Sequence, residues 1–267
     1  MQKILVLGGT GKTGRRVAAR LRTRGAEVRA ASRRGETRFD WYDYDTWEPA
    51  LAGATAVYLV DSQGPEAAGL MAAFSRAAVE RGVRRLVLLS SRDWPVIGDA
   101  VERAVTESGG AWTILRPTWF AQNFSEDPML SEPVDAGLVE LSTGDGLEPF
   151  VHADDIADVA AEVLLHDGHA GRTYELSGPR LMSFGDAVGE IAAATGREIR
   201  YVPVSPGEHA ARLAARGYDA DHVALVNRLF AEISAGTNAH LSDGVRQVLR
   251  REPRDFSEYV KSTWSST

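Results

Sequence analysis

Three glycines, Gly8, Gly11 and Gly14, recur at every third position directly after the apolar run Lys3-Ile4-Leu5-Val6-Leu7. They open a stretch, residues 12–24, with helical patterning. Because Lys12 and Thr13 follow Gly11, the segment resembles a triphosphate loop. That chemistry needs Gly, four free positions and then Gly-Lys-Ser/Thr, so that backbone N–H groups can wrap a β-phosphate. Five positions before Gly11 lies Val6, inside the apolar run, so the loop is too short. Strand, glycine turn and helix in this order predict a dinucleotide site instead. The backbone of Gly8, Thr10, Gly11, Lys12, Thr13 and Gly14 would approach a pyrophosphate, and the helix N-terminus would supply N–H donors and the positive end of its dipole. A glycine turn that holds no ligand is the alternative.

Residues 27–31 read as a short β segment whose C-terminal end is Ser32-Arg33-Arg34. An NAD site places an acidic residue about 20 positions past the glycines to accept from the ribose 2′-hydroxyl. No carboxylate stands here. A hydroxyl and two guanidiniums suit a 2′-phosphate, which arginine can bind with two parallel N–H bonds, so the expected cofactor is NADP(H). The alternative is a solvated basic turn, and Arg15, Arg16, Arg20, Arg22 and Arg24 are likewise expected on the wet face of the first helix.

These residues need a scaffold, and the rest of the chain supplies its signals. The apolar run at 55–60 reads as a parallel strand covered on both faces, residues 85–90 and 112–116 as further strands, and residues 38–41 as a short one. Helical patterns at 46–52, 66–81 and 95–108 alternate with them, which defines βαβ units. The fold class is therefore α/β, a Rossmann-like doubly wound parallel sheet with a smaller, mostly helical C-terminal substrate lobe. Residues 1–178 are assigned to the NADP-binding domain and 179–267 to the lobe. The Pro-, Gly- and Ser-rich stretch 118–149 reads as an irregular excursion on the substrate side, with one strand near 137–141. A helix from about Asp154 to Leu165, a late strand at 173–176 and a short strand at 199–204 follow.

Composition bounds the function further. The 267 residues are 44% hydrophobic and 25% charged, ordinary for a globular protein that buries one large core or two smaller ones. A net charge of -7 argues against a dedicated nucleic-acid binder. The absence of cysteine excludes disulfides, thiolate metal sites and a cysteine nucleophile. His152, His166, His169, His209, His222 and His240 show no ligand spacing on one helix face, so no metal is expected. No apolar run has the length of a membrane span, and the first strand begins almost at Met1. The expectation is a soluble, cytoplasmic protein, monomeric or homodimeric, acting on a small molecule.

The segments LGGTGKTG, AVYLVD, RRLVLLSSR, AWTILRPTWFAQNF, FVHADDIADVA and GRTYELSGP, in that order, resemble the NmrA-like branch of the atypical short-chain dehydrogenase/reductases. Within it, RFDWYDYDTW followed by TAVYLV is similar to the ergot-alkaloid reductases of the festuclavine and agroclavine synthase type. The resemblance implies a nicotinamide cofactor at the strand ends, lined by Asp40, Val60, Asp61, Ser90 and Pro117. It also implies a substrate pocket bordered by Trp94, Trp119, Phe120, Asn123 and Phe124; ordinary packing is the alternative for the aromatic residues.

Ordinary members of that superfamily reduce carbonyls with a serine and a Tyr-x-x-x-Lys pair, the tyrosine protonating the developing alkoxide. Residues 93–108 contain neither tyrosine nor lysine. NmrA-like proteins often carry His-x-x-x-Glu there; Glu102 matches the glutamate, but Gly98 stands at the histidine position. With the usual proton donor missing, an iminium substrate is expected, because it accepts hydride without protonation. Asp93, Asp99 or Glu102 could stabilise such a cation, and Ser90 could polarise substrate. Two other readings stand beside this one: a quinone or enone reductase, and a non-catalytic redox sensor of the NmrA type that binds NADP(H) without turnover.

Overall fold

The computed structural model describes residues 2–92 and 95–264. The chain forms two compact units, each assembled from separated segments. The first comprises Met1–Pro117, Ala153–Leu176 and Asp243–Arg251; the second comprises Thr118–His152, Ser177–Ser242 and Glu252–Thr267.

The first unit is built on strands β1 (Lys3–Leu7), β2 (Glu27–Ser32), β3 (Thr37–Arg38), β4 (Ala56–Val60), β5 (Arg85–Leu89) and β6 (Ala111–Pro117), completed by the strand Arg172–Leu176. Their order is β3-β2-β1-β4-β5-β6 and then Arg172–Leu176, with every pair parallel. The chain runs outward from β1 to β3 on one side and restarts at β4 on the other. Ligands of such sheets bind outside the carboxyl ends of the strands at that reversal. Helices α1 (Gly14–Thr23), α2 (Trp47–Leu51), α3 (Ala67–Glu80) and α4 (Pro95–Thr106) connect the strands. Alternation along the strands sends Leu5, Leu7, Val57, Leu59, Leu86 and Leu88 into one core with Trp47, Met71, Phe74 and Val105.

β3 is shorter than the 38–41 run suggests. The Asp40 carbonyl accepts from the Trp47 indole at 3.0 Å, and the Asp40 amide donates to Thr46 Oγ1 at 3.0 Å. Phe39 and Trp41 meanwhile pack edge-on against Phe74, so this segment curls into the core.

The α1 arginines are not simply a wet face. Arg16, Arg20 and Arg24 pair with Asp154, Asp158 and Glu162 of the helix Ala153–Leu165 at 3.1, 2.7 and 2.8 Å. Arg251 adds contacts to the fully buried Asp155 at 2.6 Å and to Asp158 at 2.9 Å. Arg15 and Arg22 remain exposed.

In the second unit, Phe124, Phe150, Phe184 and Phe256 form an aromatic core with ring centroids 5.0 to 5.8 Å apart. Strands Leu138–Leu141 and Arg200–Pro203 pair in parallel, Leu147–Glu148 and Met182–Ser183 antiparallel. The helices Phe184–Thr195, Pro206–Ala215, Ala220–Ser234 and Phe256–Trp264 make the C-terminal part mostly helical. The stretch expected to be irregular contains helices Asn123–Glu126 and Pro128–Ala136. Asp127 caps the second, accepting from the Met129 amide at 3.2 Å, Pro128 opens it, and Gly137 with φ 80° closes it. Residues 118–152, which sequence order places with the first domain, join the second unit, where Phe124, Leu130 and Phe150 lie in the core.

One clamp in this unit titrates. Arg180 binds Asp255 at 2.7 Å and Glu190 at 2.7 Å, and the guanidinium holds the Asp255 carboxyl down at about 2 rather than 3.8. A depressed carboxyl contributes stability that is present above the unfolded value and lost as pH falls through the folded one. Both side chains are about one-third exposed, which reduces the effect. Arg180→Met is therefore expected to lower stability by about 1 kcal/mol at neutral pH. Denaturant titrations should show that difference shrinking below about pH 4 and vanishing only below about 2; a pH-independent difference would assign the loss to packing.

Candidate cofactor-binding site

The glycine turn follows β1 directly. Gly8 takes φ +62°, and its carbonyl accepts from Gly11 N at 2.8 Å, while Gly9 N donates to Ala31 O at 2.9 Å. A Cβ on Gly14 would stand 2.2 Å from the Gly8 carbonyl oxygen, and one on Gly9 would stand 2.8 Å from Ala30 Cβ. The turn is thus pressed against both α1 and β2, leaving Thr10 and Gly11 exposed at its tip and Lys12 half-buried beside them. Thr13 is the buried N-cap of α1, makes no side-chain cap bond, and no acidic residue occupies the first helical turn. Such an end presents N–H groups and a positive partial charge to an anion. Tyr58 of β4 lies fully buried close to Thr13; burial raises its pKa, and the Thr13 hydroxyl opposes that shift without completing a hydrogen bond.

At the end of β2, Ser32 Oγ is buried and has no hydrogen-bond partner. The turn closes tightly here, since a Cβ on Gly35 would lie 2.7 Å from that oxygen. Arg33 and Arg34 are exposed, and neither makes a hydrogen bond or ion pair among the described residues. An orphaned hydroxyl beside two uncommitted guanidiniums fits a phosphate monoester. Asp40 uses its carboxylate locally, accepting from Tyr42 N at 3.0 Å.

The ends of β4, β5 and β6 complete the rim. The Val60 carbonyl accepts from the Trp41 indole at 3.2 Å. Burial raises the pKa of Asp61, and the Gln63 amide, donating at 3.1 Å from a residue with φ 58°, opposes that rise. Ser90 N donates to Leu115 O at 2.8 Å, and the Pro117 carbonyl accepts from Arg92 N at 3.1 Å. Ser90 Oγ donates to Glu102 Oε1 at 2.6 Å. The same carboxylate is gripped by Arg116, through Nε to Oε1 at 2.8 Å and through Nη2 to Oε2. Glu102 is 7% exposed, and its hydrogen bond and charge push the Arg116 pKa upward. Glu102, expected to stabilise a substrate cation, thus has both of its oxygens engaged by Arg116. Asp99 is exposed, and it adds to the field on Arg116 without bonding to it.

The residues expected to border a substrate lie in the second unit, apart from Trp94 and the acidic candidate Asp93, which fall outside the described residues. Phe124 is fully buried among Phe150, Phe184 and Phe256, so its ring is core rather than a ligand wall. Trp119 is half-buried against Phe184 and Phe230, its amide donating to the buried Glu148 at 3.1 Å and its indole Nε1 left without a partner. Phe120 bridges to Val151, and Asn123 begins the helix Asn123–Glu126; both are half-buried. His152 is buried, with Gln122 Nε2 at 3.2 and 3.3 Å from its two ring nitrogens. No group of three or more potential metal ligands occurs among the described residues, and no helix among them is long and apolar enough to cross a membrane.

Sequence reasoning passed over Arg116. Its signal was available: an arginine closing the otherwise apolar strand Trp112-Thr113-Ile114-Leu115 requires a partner.

A strand–glycine turn–helix with an open α1 terminus at the reversal of a parallel sheet is the architecture of a dinucleotide-binding protein. The chain belongs to the NAD(P)H-binding family, whose model matches residues 8–167. It is 34% identical to the "Uncharacterized oxidoreductase YesF" of Bacillus subtilis, covering 96% of this chain and 93% of that one. It is 31% identical to the festuclavine dehydrogenase of Aspergillus fumigatus, covering 98% of each. Among solved structures, an NADPH-dependent quinone oxidoreductase of Escherichia coli complexed with NADPH shares the fold, with a TM-score of 0.84 and 21% identity over 97% of this chain and 99% of that one. The chain is an oxidoreductase of this NAD(P)H-binding type.

Proposed function

We propose that the protein is an NADPH-dependent reductase acting on a small cyclic imine or iminium, or on an activated carbonyl or enone, in a reaction suited to secondary metabolism. The preference for NADPH is carried by the end of β2, where the orphaned Ser32 hydroxyl and the unpaired Arg33 and Arg34 would hold the 2′-phosphate. The glycine turn and the α1 N-terminus would hold the pyrophosphate. When bound, the nicotinamide supplies hydride. The chain's own part is to orient the acceptor and exclude competing chemistry.

The acceptor class follows from what the site lacks. α4 carries no Tyr-x-x-x-Lys pair, and the one proton on Ser90 is directed at Glu102. An alkoxide would need an acid that neither the Ser90 hydroxyl nor a Tyr-x-x-x-Lys pair supplies, whereas reduction of an iminium needs none. A quinone is the second candidate, because its reduced oxygens can be protonated by water.

Two measurements test the proposal. Arg33→Glu is expected to weaken NADPH binding by about 10- to 100-fold, the loss of one or two charge-assisted hydrogen bonds. NADH binding should be almost unaffected; equal loss of both would refute the 2′-phosphate assignment. NADPH oxidation with protonated dihydroisoquinoline, menadione and cyclohexenone then separates the acceptor classes. Tight NADPH binding without turnover of any of the three would favour the sensor.

A further inference from the structure

The hydrogen-bond inventory around Glu102 fixes where the Ser90 proton is. A guanidinium can only donate, and Arg116 donates to both oxygens of Glu102. Both oxygens therefore act as acceptors in an ion pair with Arg116. Ser90 Oγ lies 2.6 Å from Oε1, a short contact of the kind formed by a hydroxyl donating to an anion. A serine carries one proton, and a carboxylate carries none to give back. The two lone pairs of Ser90 remain for other partners, and Ser90 makes no other side-chain hydrogen bond among the described residues.

We infer that Ser90 acts toward a bound ligand as a hydrogen-bond acceptor and not as a donor, so that the site selects an N–H group. This is the reverse of a serine that polarises a carbonyl. Turning the proton outward to a ketone would break a charge-assisted bond and leave the buried Glu102 with one donor fewer. A protonated imine, whose N–H is itself a charge-assisted donor, meets the geometry without that cost. A carboxamide NH₂ offers the same chemistry more weakly, so the N–H can come from the substrate cation or from the cofactor's amide. The inference deepens the proposed function and rests on its placing the reaction at the ends of β4, β5 and β6.

Calorimetry tests it without turnover. With NADP⁺ saturating, tetrahydroisoquinolinium is titrated against its N,N-dimethyl derivative, which is equally cationic but lacks N–H. If the substrate supplies the donor, the wild type should prefer the N–H compound by about tenfold or more. Ser90→Ala should erase the preference, and Ser90→Thr, which keeps the acceptor, should retain it. If the cofactor amide is the donor, there is no preference in any variant. Ser90→Ala then binds NADPH about tenfold more weakly, yet binds the acetylpyridine analogue, which has no amide N–H, as the wild type does. An unchanged ligand preference together with unchanged NADPH affinity in Ser90→Ala overturns the inference, as does failure of both amines to bind when NADPH affinity is also unchanged. Failure of the proposed reductase activity reads out separately, as these binding patterns without NADPH oxidation.

Discussion

Gly14→Ala is expected to abolish high-affinity nucleotide binding, lowering NADPH affinity by at least about 100-fold, with a loss of stability of about 1–3 kcal/mol from overpacking. The added Cβ would lie 2.2 Å from the Gly8 oxygen, 2.7 Å from the Gly8 carbonyl carbon and 3.1 Å from the Gly9 nitrogen. All three are backbone atoms, so no side chain can swing aside. The turn must separate from α1, and the N–H groups proposed to converge on one pyrophosphate diverge. Gly69→Ala in α3 is the control, because a Cβ there meets nothing within 4 Å. It should stabilise by up to about 1 kcal/mol through helix propensity, with binding unchanged. Thermal unfolding and NADPH calorimetry on both variants decide the matter. Near-wild-type affinity in Gly14→Ala would mean that the turn does not hold the phosphates.

Arg116→Met should be the most destabilising change among the side chains of the rim. It leaves Glu102, 7% exposed, with only the Ser90 hydroxyl in place of three donors. Stranding one member of a buried pair costs about 3–5 kcal/mol. The lower figure is the better expectation here, since Arg116 is one-third exposed and water can follow it out. Adding Glu102→Leu should recover most of the loss, because two apolar groups replace an ion pair at little net cost. Urea denaturation of the two single variants and the double variant closes the cycle. A cost below about 1 kcal/mol for Arg116→Met would show that the pair behaves as a surface contact.

Much of the first unit can be read directly from the chain, because β1, β4, β5 and β6 are continuous apolar runs whose burial on both faces needs no long-range information. The glycine turn and the basic end of β2 are equally local, so the residues proposed to face the cofactor phosphates emerge from short motifs. Other features depend on distant partners. Glu102 and Arg116 look like an ordinary helix residue and a strand-end residue until β5, β6 and α4 bring them together. Arg16, Arg20 and Arg24 look solvated because their acids lie 138 positions away. The 118–152 stretch misleads for another reason. Its Asp127-Pro128 start and Gly137 stop are proper helix punctuation, outweighed in a composition-based reading by the surrounding prolines and glycines. Phe124 has the same apolar character whether it lines a pocket or fills a core, and only its aromatic neighbours decide for the core.

The three rungs joining α1 to the helix Ala153–Leu165 are spaced four residues apart on both sides, which makes them interchangeable. If α1 slid by one turn, about 5.4 Å, two of its three arginines would still face an acid. Charge therefore favours the observed axial setting of α1 by only one pair. The stop that selects it is steric, Gly14 seated against the Gly8 carbonyl, and the ladder governs azimuth instead. Severing a rung should then twist the anion-facing tip of α1 about its own axis rather than draw it back from the turn.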